Sequence, residues 1–143
     1  MSSHVLARFS TVVATILLAT ALLCCTSKES ATPLDDEARA GGVALKCYKA
    51  LYIENRAETF LNGSLSYDSL SSEQRQQLLT FYNQHVAQVG REHGGVNSID
   101  FLRAEPDTAL NVMQVFLKMT FTDNTQEEVV VPMVQTDGEW KMK

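Results

Sequence analysis

Basic side chains are few, 12 Lys and Arg against 17 Asp and Glu, and nowhere do they gather into a run. A chain of that balance repels phosphate backbones and anionic headgroups, so DNA and RNA are excluded as partners. Cysteine is scarcer. Cys24 and Cys25 are adjacent and Cys47 stands alone, which leaves no disulfide framework. The His-Glu-x-x-His pattern is absent, and His85 and His93 have no cysteine at ligand spacing, so no metal site is expected. Gly-rich phosphate loops and the Gly-x-Ser-x-Gly elbow are missing too, and no cofactor is expected. No apolar run reaches the roughly 20 residues that cross a bilayer. The longest, over residues 11–23, has 13. What is left is an ordinary globular composition, 143 residues with 45% hydrophobic and 20% charged, enough for one domain and a short appendage.

The apolar run follows His4 and Arg8 and suits the h-region of a secretory signal. Without the segment that holds Arg8, 11 basic side chains face 17 acidic ones, a balance of −6. The run ends in Leu22-Leu23-Cys24-Cys25, which resembles a bacterial lipobox, where a small residue precedes the cysteine that is lipidated and becomes the mature N-terminus. Cys25 fits the modified position, with Leu22 at −3 and the small Cys24 at −1, whereas Cys24 itself would follow bulky Leu23. The departure is Cys24 in place of the usual Gly, Ala or Ser. Residues 1–24 are therefore read as a lipoprotein signal peptide, 25–34 as lipidated Cys25 and a flexible polar tether, and 35–143 as the domain. By the same resemblance Thr26, standing where Asp would retain the protein at the inner membrane, implies the outer membrane of a Gram-negative envelope. Cys47 is then the one remaining thiol. It lies among Val43, Ala44 and Leu51 at helical spacing, which reads as a small buried residue rather than a nucleophile.

Helical periodicity covers residues 35–55, with Val43, Ala44, Cys47 and Leu51 on one stripe and Leu45, Tyr48 and Tyr52 on the next; Gly41-Gly42 is expected to fray its start. A short helix over 56–61 ends at Asn62-Gly63. Ser71-Ser72-Glu73-Gln74 forms a capping box for a helix over 72–89, whose stripe carries Leu78, Phe81, Tyr82, His85, Val86 and Val89, with Gly90 as its cap. A histidine on such a stripe is more often a hydrogen-bonded rim residue than a catalytic one. A strand over 96–104 with Ile99 and Phe101 leads to a turn over 105–108 with Pro106 in second place. The last third then alternates: Met113, Val115, Leu117, Met119 and Phe121 point one way, Gln114, Lys118 and Thr120 the other.

Turns at 123–125 and at Asp137-Gly138 fold this stretch into three antiparallel strands. The two-residue loop sets Gln135 opposite Trp140 and Met133 opposite Met142. The three-residue loop sets Met119 opposite Val129, Leu117 opposite Val131 and Val115 opposite Met133. All the apolar sets then share one face, with Trp140 as the core anchor of the last strand. The methionines on it read either as gap-filling core or as an adaptable pocket wall.

Helices followed by a meander ending in Asp137-Gly138-Glu139-Trp140-Lys141, with Ala50-Leu51-Tyr52 in the first helix, resemble the nuclear transport factor 2-like superfamily. More narrowly they resemble its small bacterial lipoprotein branch, a lumazine-binding-like domain of unknown function. The resemblance implies an α+β cone, N-terminal helices packed on a curved antiparallel meander of about four strands, often with a cavity and often paired into homodimers. It implies no reaction. Enzymes of the superfamily place Asp, Tyr or His inside the cone as general acids and bases, and none of their catalytic sets aligns here. The expected pocket lining is Met113, Val115, Leu117, Met119, Val131, Met133, Trp140 and Met142 from the strands, with Tyr48, Tyr52, Tyr82 and His85 from the helices. With no carboxylate at the centre of the strand face, no catalytic residue is expected. The expected function is that of a membrane-anchored, non-catalytic module binding a small apolar molecule or a partner protein in the cell envelope. The alternative is a small isomerase or dehydratase using His85 or Asp100, which would show two polar groups converging at the cavity mouth.

Replacing Cys25 by Ser is expected to abolish labelling by a fatty-acid analogue and to release the protein from the membrane. Unchanged labelling in the variant would contradict the lipobox reading.

Overall fold

The computed structural model describes residues 33–143; the signal segment, Cys25 and the tether as far as residue 32 lie outside them. The first helix, α1 (Pro33–Tyr52), starts two residues ahead of the expected domain boundary, on a proline whose missing N–H and fixed φ suit a first helical position. Asp35 and Asp36 in its first turn and Lys49 in its last favour the helix dipole. It stops at Tyr52 rather than 55, and Asn55 turns the chain at φ 53°.

One side of α1 is made of small residues. Ala40, Ala44, Cys47 and Ala50 are buried together with Leu51. The expected fraying at Gly41-Gly42 does not occur. A methyl group at Gly41 would lie 2.3 Å from the Phe101 ring, so the bare backbone lets that ring lie against the helix, whereas Gly42 faces open space.

Two helices follow, α2 (Ala57–Asn62) and, after a 3₁₀ turn at Tyr67–Ser69, α3 (Ser72–His93). The capping box is present: the Gln74 N–H donates to Ser71 Oγ at 3.2 Å and the Ser71 N–H to Gln74 Oε1 at 2.9 Å. The expected stop at Gly90 is corrected to Gly94, a left-handed cap at φ 75°, which lengthens α3 by a turn. No residue of α3 is fully buried; its apolar stripe is half-buried, and Phe81 is 59% exposed.

The sheet is antiparallel in the order β1 (Val96–Asp107), β2 (Val112–Phe121), β3 (Gln126–Thr136), β4 (Glu139–Met142). Pro106 belongs to β1, opposite Met113, and not to a turn. β1 is an edge strand, where the missing N–H costs no ladder bond. The turn comes later, with Asp107 Oδ1 accepting from the N–H groups of Ala109 and Leu110. Register breaks in β1 at 96/98 and 101/103 bend the strand and curve the sheet. The other edge is partly covered, since Ser64 bridges Met142 and the Leu65 N–H donates to the Met142 carbonyl at 2.8 Å.

At Asp137-Gly138 both φ angles are positive, 53° and 81°, and the pairing of Gln135 with Trp140 and Met133 with Met142 is the expected one. Between β2 and β3 the pairing differs by two residues: Leu117 faces Val129, Val115 faces Val131, and Met119 faces Glu127. A shift of two keeps every side chain on its face. The helices cover that face, and Leu51, Ile99, Val115, Leu117 and Met133 are the largest fully buried side chains. Trp140 has the expected facing but lies half-buried at the margin; Met142, 6% exposed, is the buried residue of β4.

Gly41→Ala is expected to cost about 1–3 kcal/mol by overpacking against Phe101, and Gly42→Ala to gain up to ~1 kcal/mol of helix propensity. Chemical denaturation of both variants checks this. Equal effects would contradict the close approach of α1 to the sheet.

Candidate functional site

The C-terminal turns of α1 bring Tyr48 and Tyr52 to one end of the sheet, where α3 passes over them. Their rings lie 6.1 Å apart at 34°. Tyr48 meets Phe60 edge-on at 5.5 Å, and Tyr82 backs onto Phe60 at 4.9 Å, so aromatic rings from all three helices form one cluster. His85 comes down from α3 edge-on to Tyr52 at 5.9 Å, with Nε2 3.0 Å from the Tyr52 Oη. In front of this pair is a cleft of about 280 Å³, floored by Met119, Phe121, Val89 and Val129 and edged by Glu92, His93 and Glu127.

Burial pushes both phenols up to about 12, with the neighbouring tyrosines and Glu127 adding to the shift. At neutral pH they keep their protons and act as donors rather than bases. An imidazole protonated on Nδ1 can accept from Tyr52 through Nε2.

The far wall is fastened by a polar knot. His93 Nδ1 lies 2.8 Å from Asp123 Oδ2, and the His93 ring stacks on Phe121 at 4.5 Å. The Asp123 N–H donates to the His93 carbonyl, and Asp123 Oδ1 accepts from the Thr125 N–H at 2.9 Å and its hydroxyl at 2.5 Å. The Thr125 donors, followed by His93, bring the Asp123 carboxyl down to about 2.

Of the expected lining, Tyr48, Tyr52, His85 and Met119 are in the cleft. Val115, Leu117, Val131, Met133 and Met142 are packed core instead, because α1 sits too close to the sheet to leave space above them. Met113, Met133 and Trp140 border a separate depression of about 330 Å³ beside Pro106 and Asp107. Tyr82 lies behind the cleft. Asp100 is on the opposite side of the sheet from the helices, exposed and paired with Lys118, and does not reach the cleft. Cys47 is buried against Gly63, where an added methyl group would lie 2.5 Å from its Sγ, and burial pushes the thiol up.

The expected lining leaves out Val89, Phe121 and Val129, which the sequence places on apolar faces without assigning them to a pocket, and misses Glu92, His93 and Glu127 altogether. Two signals could have found them. The Gly94-Gly95 pair marks a later helix end, which carries Glu92 and His93 to the rim. Asp123 followed by Thr125 favours a loop over 122–124, which draws Glu127 opposite Met119.

No protein-family model matches the chain, and no curated protein does. Among solved structures, the fold is similar to a crystal structure from Campylobacter jejuni provisionally described as an NTF2-like transpeptidase. Identity is 15%, 71% of this chain and 94% of that chain are covered, and the TM-score is 0.57. Likeness at that identity concerns the fold, which is the nuclear transport factor 2-like α+β cone, three helices followed by a curved four-stranded antiparallel sheet.

Proposed function

We propose that the protein is an exported lipoprotein, held in the cell envelope through Cys25, whose domain binds a small molecule in the cleft beneath α3. One observation carries the binding part: the cleft of about 280 Å³ combines an apolar floor with the convergent Tyr52 and His85. Its size falls at the small end of ligand sites, which run from about 300 to 1,000 Å³. The carboxylates and imidazoles along the cleft do not suit the purely apolar ligand expected, so the ligand carries a polar group as well as an apolar body. Anchoring rests on the lipobox resemblance and the signal-like run before it. Among the described residues no helix is long and apolar enough to cross a membrane.

A second reading, acid–base catalysis, draws on the Tyr52–His85 contact, since convergent polar groups are what an enzyme would show. Against it, a phenol near 12 is a poor acid at neutral pH, and His85 already faces it. Acyl transfer, the chemistry in the description of the Campylobacter protein, needs a nucleophile, and among the described residues no Ser, Thr or Cys lines the cleft.

Native mass spectrometry of the full chain in non-ionic detergent is expected to find a non-covalent small molecule, lost on filling the cleft by Val129→Trp. No bound mass in the parent, or equal retention in the variant, contradicts the reading. Should a reaction be found, His85→Gln is expected to keep turnover within about tenfold. A loss of about a hundredfold or more with folding intact would establish the enzyme reading instead.

A further inference from the structure

The charge distribution around the cleft narrows the ligand class. Two carboxylates edge it, Glu92 from α3 and Glu127 from β3, while among the described residues no lysine or arginine lines it. Register fixes the facing of Glu127: it stands opposite Met119, and so turns toward the helix-covered side rather than the solvated back of the sheet. Glu92 is held by Gln88, whose Nε2 donates to Oε1 at 2.8 Å. Neither carboxylate has an ion-pair partner among the described residues. The two imidazoles of the cleft are both engaged, His93 with Asp123 and His85 with the Tyr52 hydroxyl. Two like charges bordering one partly desolvated space repel each other until a positive charge enters between them. Beneath them lie the aromatic rings of Tyr48 and Tyr52, and aromatic faces attract a cation that has shed its water.

We propose that the cleft takes a small organic cation, an ammonium group carried on an apolar body, with Glu92 and Glu127 neutralising the charge and the tyrosine rings facing it. This deepens the binding reading above and rests on it. The body fills the space over Met119 and Val129, and the phenols supply proton donors to any oxygen the ligand bears. Glu127 lines the same cleft as both phenols, so its negative field falls on the bound group. The same field would exclude an anion.

The test titrates the full chain, in non-ionic detergent, with phenyltrimethylammonium, the neutral isostere tert-butylbenzene and benzenesulfonate, following the ring-proton resonances of His85 and His93. The ammonium ion is expected to give a saturable shift and the neutral compound to bind at least about fivefold more weakly. The sulfonate is expected not to bind. Glu127→Gln, a change at an exposed position, is expected to weaken the cation about threefold to tenfold and to leave the neutral compound unaffected. Equal affinity for the cation and its isostere, or cation binding undiminished in Glu127→Gln, overturns the charge preference and leaves the binding cleft standing. No saturable shift from any of the three probes overturns both.

Discussion

The close approach of α1 to the sheet governs the rest of the fold. Ala40, Gly41, Ala44 and Cys47 put almost no side-chain bulk between the helix backbone and the strands, so Ile99, Leu117 and Val115 are sealed directly beneath it. Packing this tight leaves no room for a cavity at the centre of the cone, which is why the aliphatic strand face is core and not pocket wall. Between α1, α3 and the sheet, space opens where larger residues of α1, Tyr48 and Tyr52, succeed the small ones. The site is displaced to that end.

α3 completes the site and is held differently. With no fully buried residue it gains less from apolar packing than α1, through the half-buried Leu78, Leu79, Tyr82, Val86 and Val89, and polar contacts add to its hold. The capping box and the Arg75 Nη2 donation to the Asp68 carbonyl at 2.7 Å fix its start, Tyr52–His85 its middle, and His93–Asp123 its end. Elements held this way open locally at lower cost than a packed core. One wall of the cleft is therefore rigid, α1 and the sheet, and the other is the most easily displaced helix of the domain.

How much of this was legible depended on whether local chemistry left one solution or two. Asp137-Gly138 allows a single two-residue hairpin with both φ angles positive, and the pairing of Trp140 and Met142 followed from it. The loop before β3 can sit in two places that preserve facing, and the choice falls to Thr125, which bonds Asp123 through both its N–H and its hydroxyl. Gly90 and Gly94 both look like helix ends; the helix passes through the first, exposed glycine at about 1 kcal/mol and stops at the second, already left-handed. Glu92 and Glu127 stayed hidden because a carboxylate at a helix end or near a turn reads as solvated surface. Only the joint placement of α3 and β3 makes them neighbours of one cleft.

The central claim is that α1 and α3 together desolvate two phenols at the cleft, and a spectrophotometric titration of the tyrosines tests it. Of the four tyrosines, Tyr48 and Tyr52 should ionise at about 12. An unfolded tyrosine gives up its proton near 10. A group whose folded value is raised contributes fully to stability below about 10 and loses that contribution as pH rises through about 12, so ionisation of this pair and alkaline loosening of α3 should coincide. The account predicts that Tyr48 and Tyr52 keep their protons until about pH 12. Ionisation of Tyr48 and Tyr52 near 10 in the folded protein would contradict it.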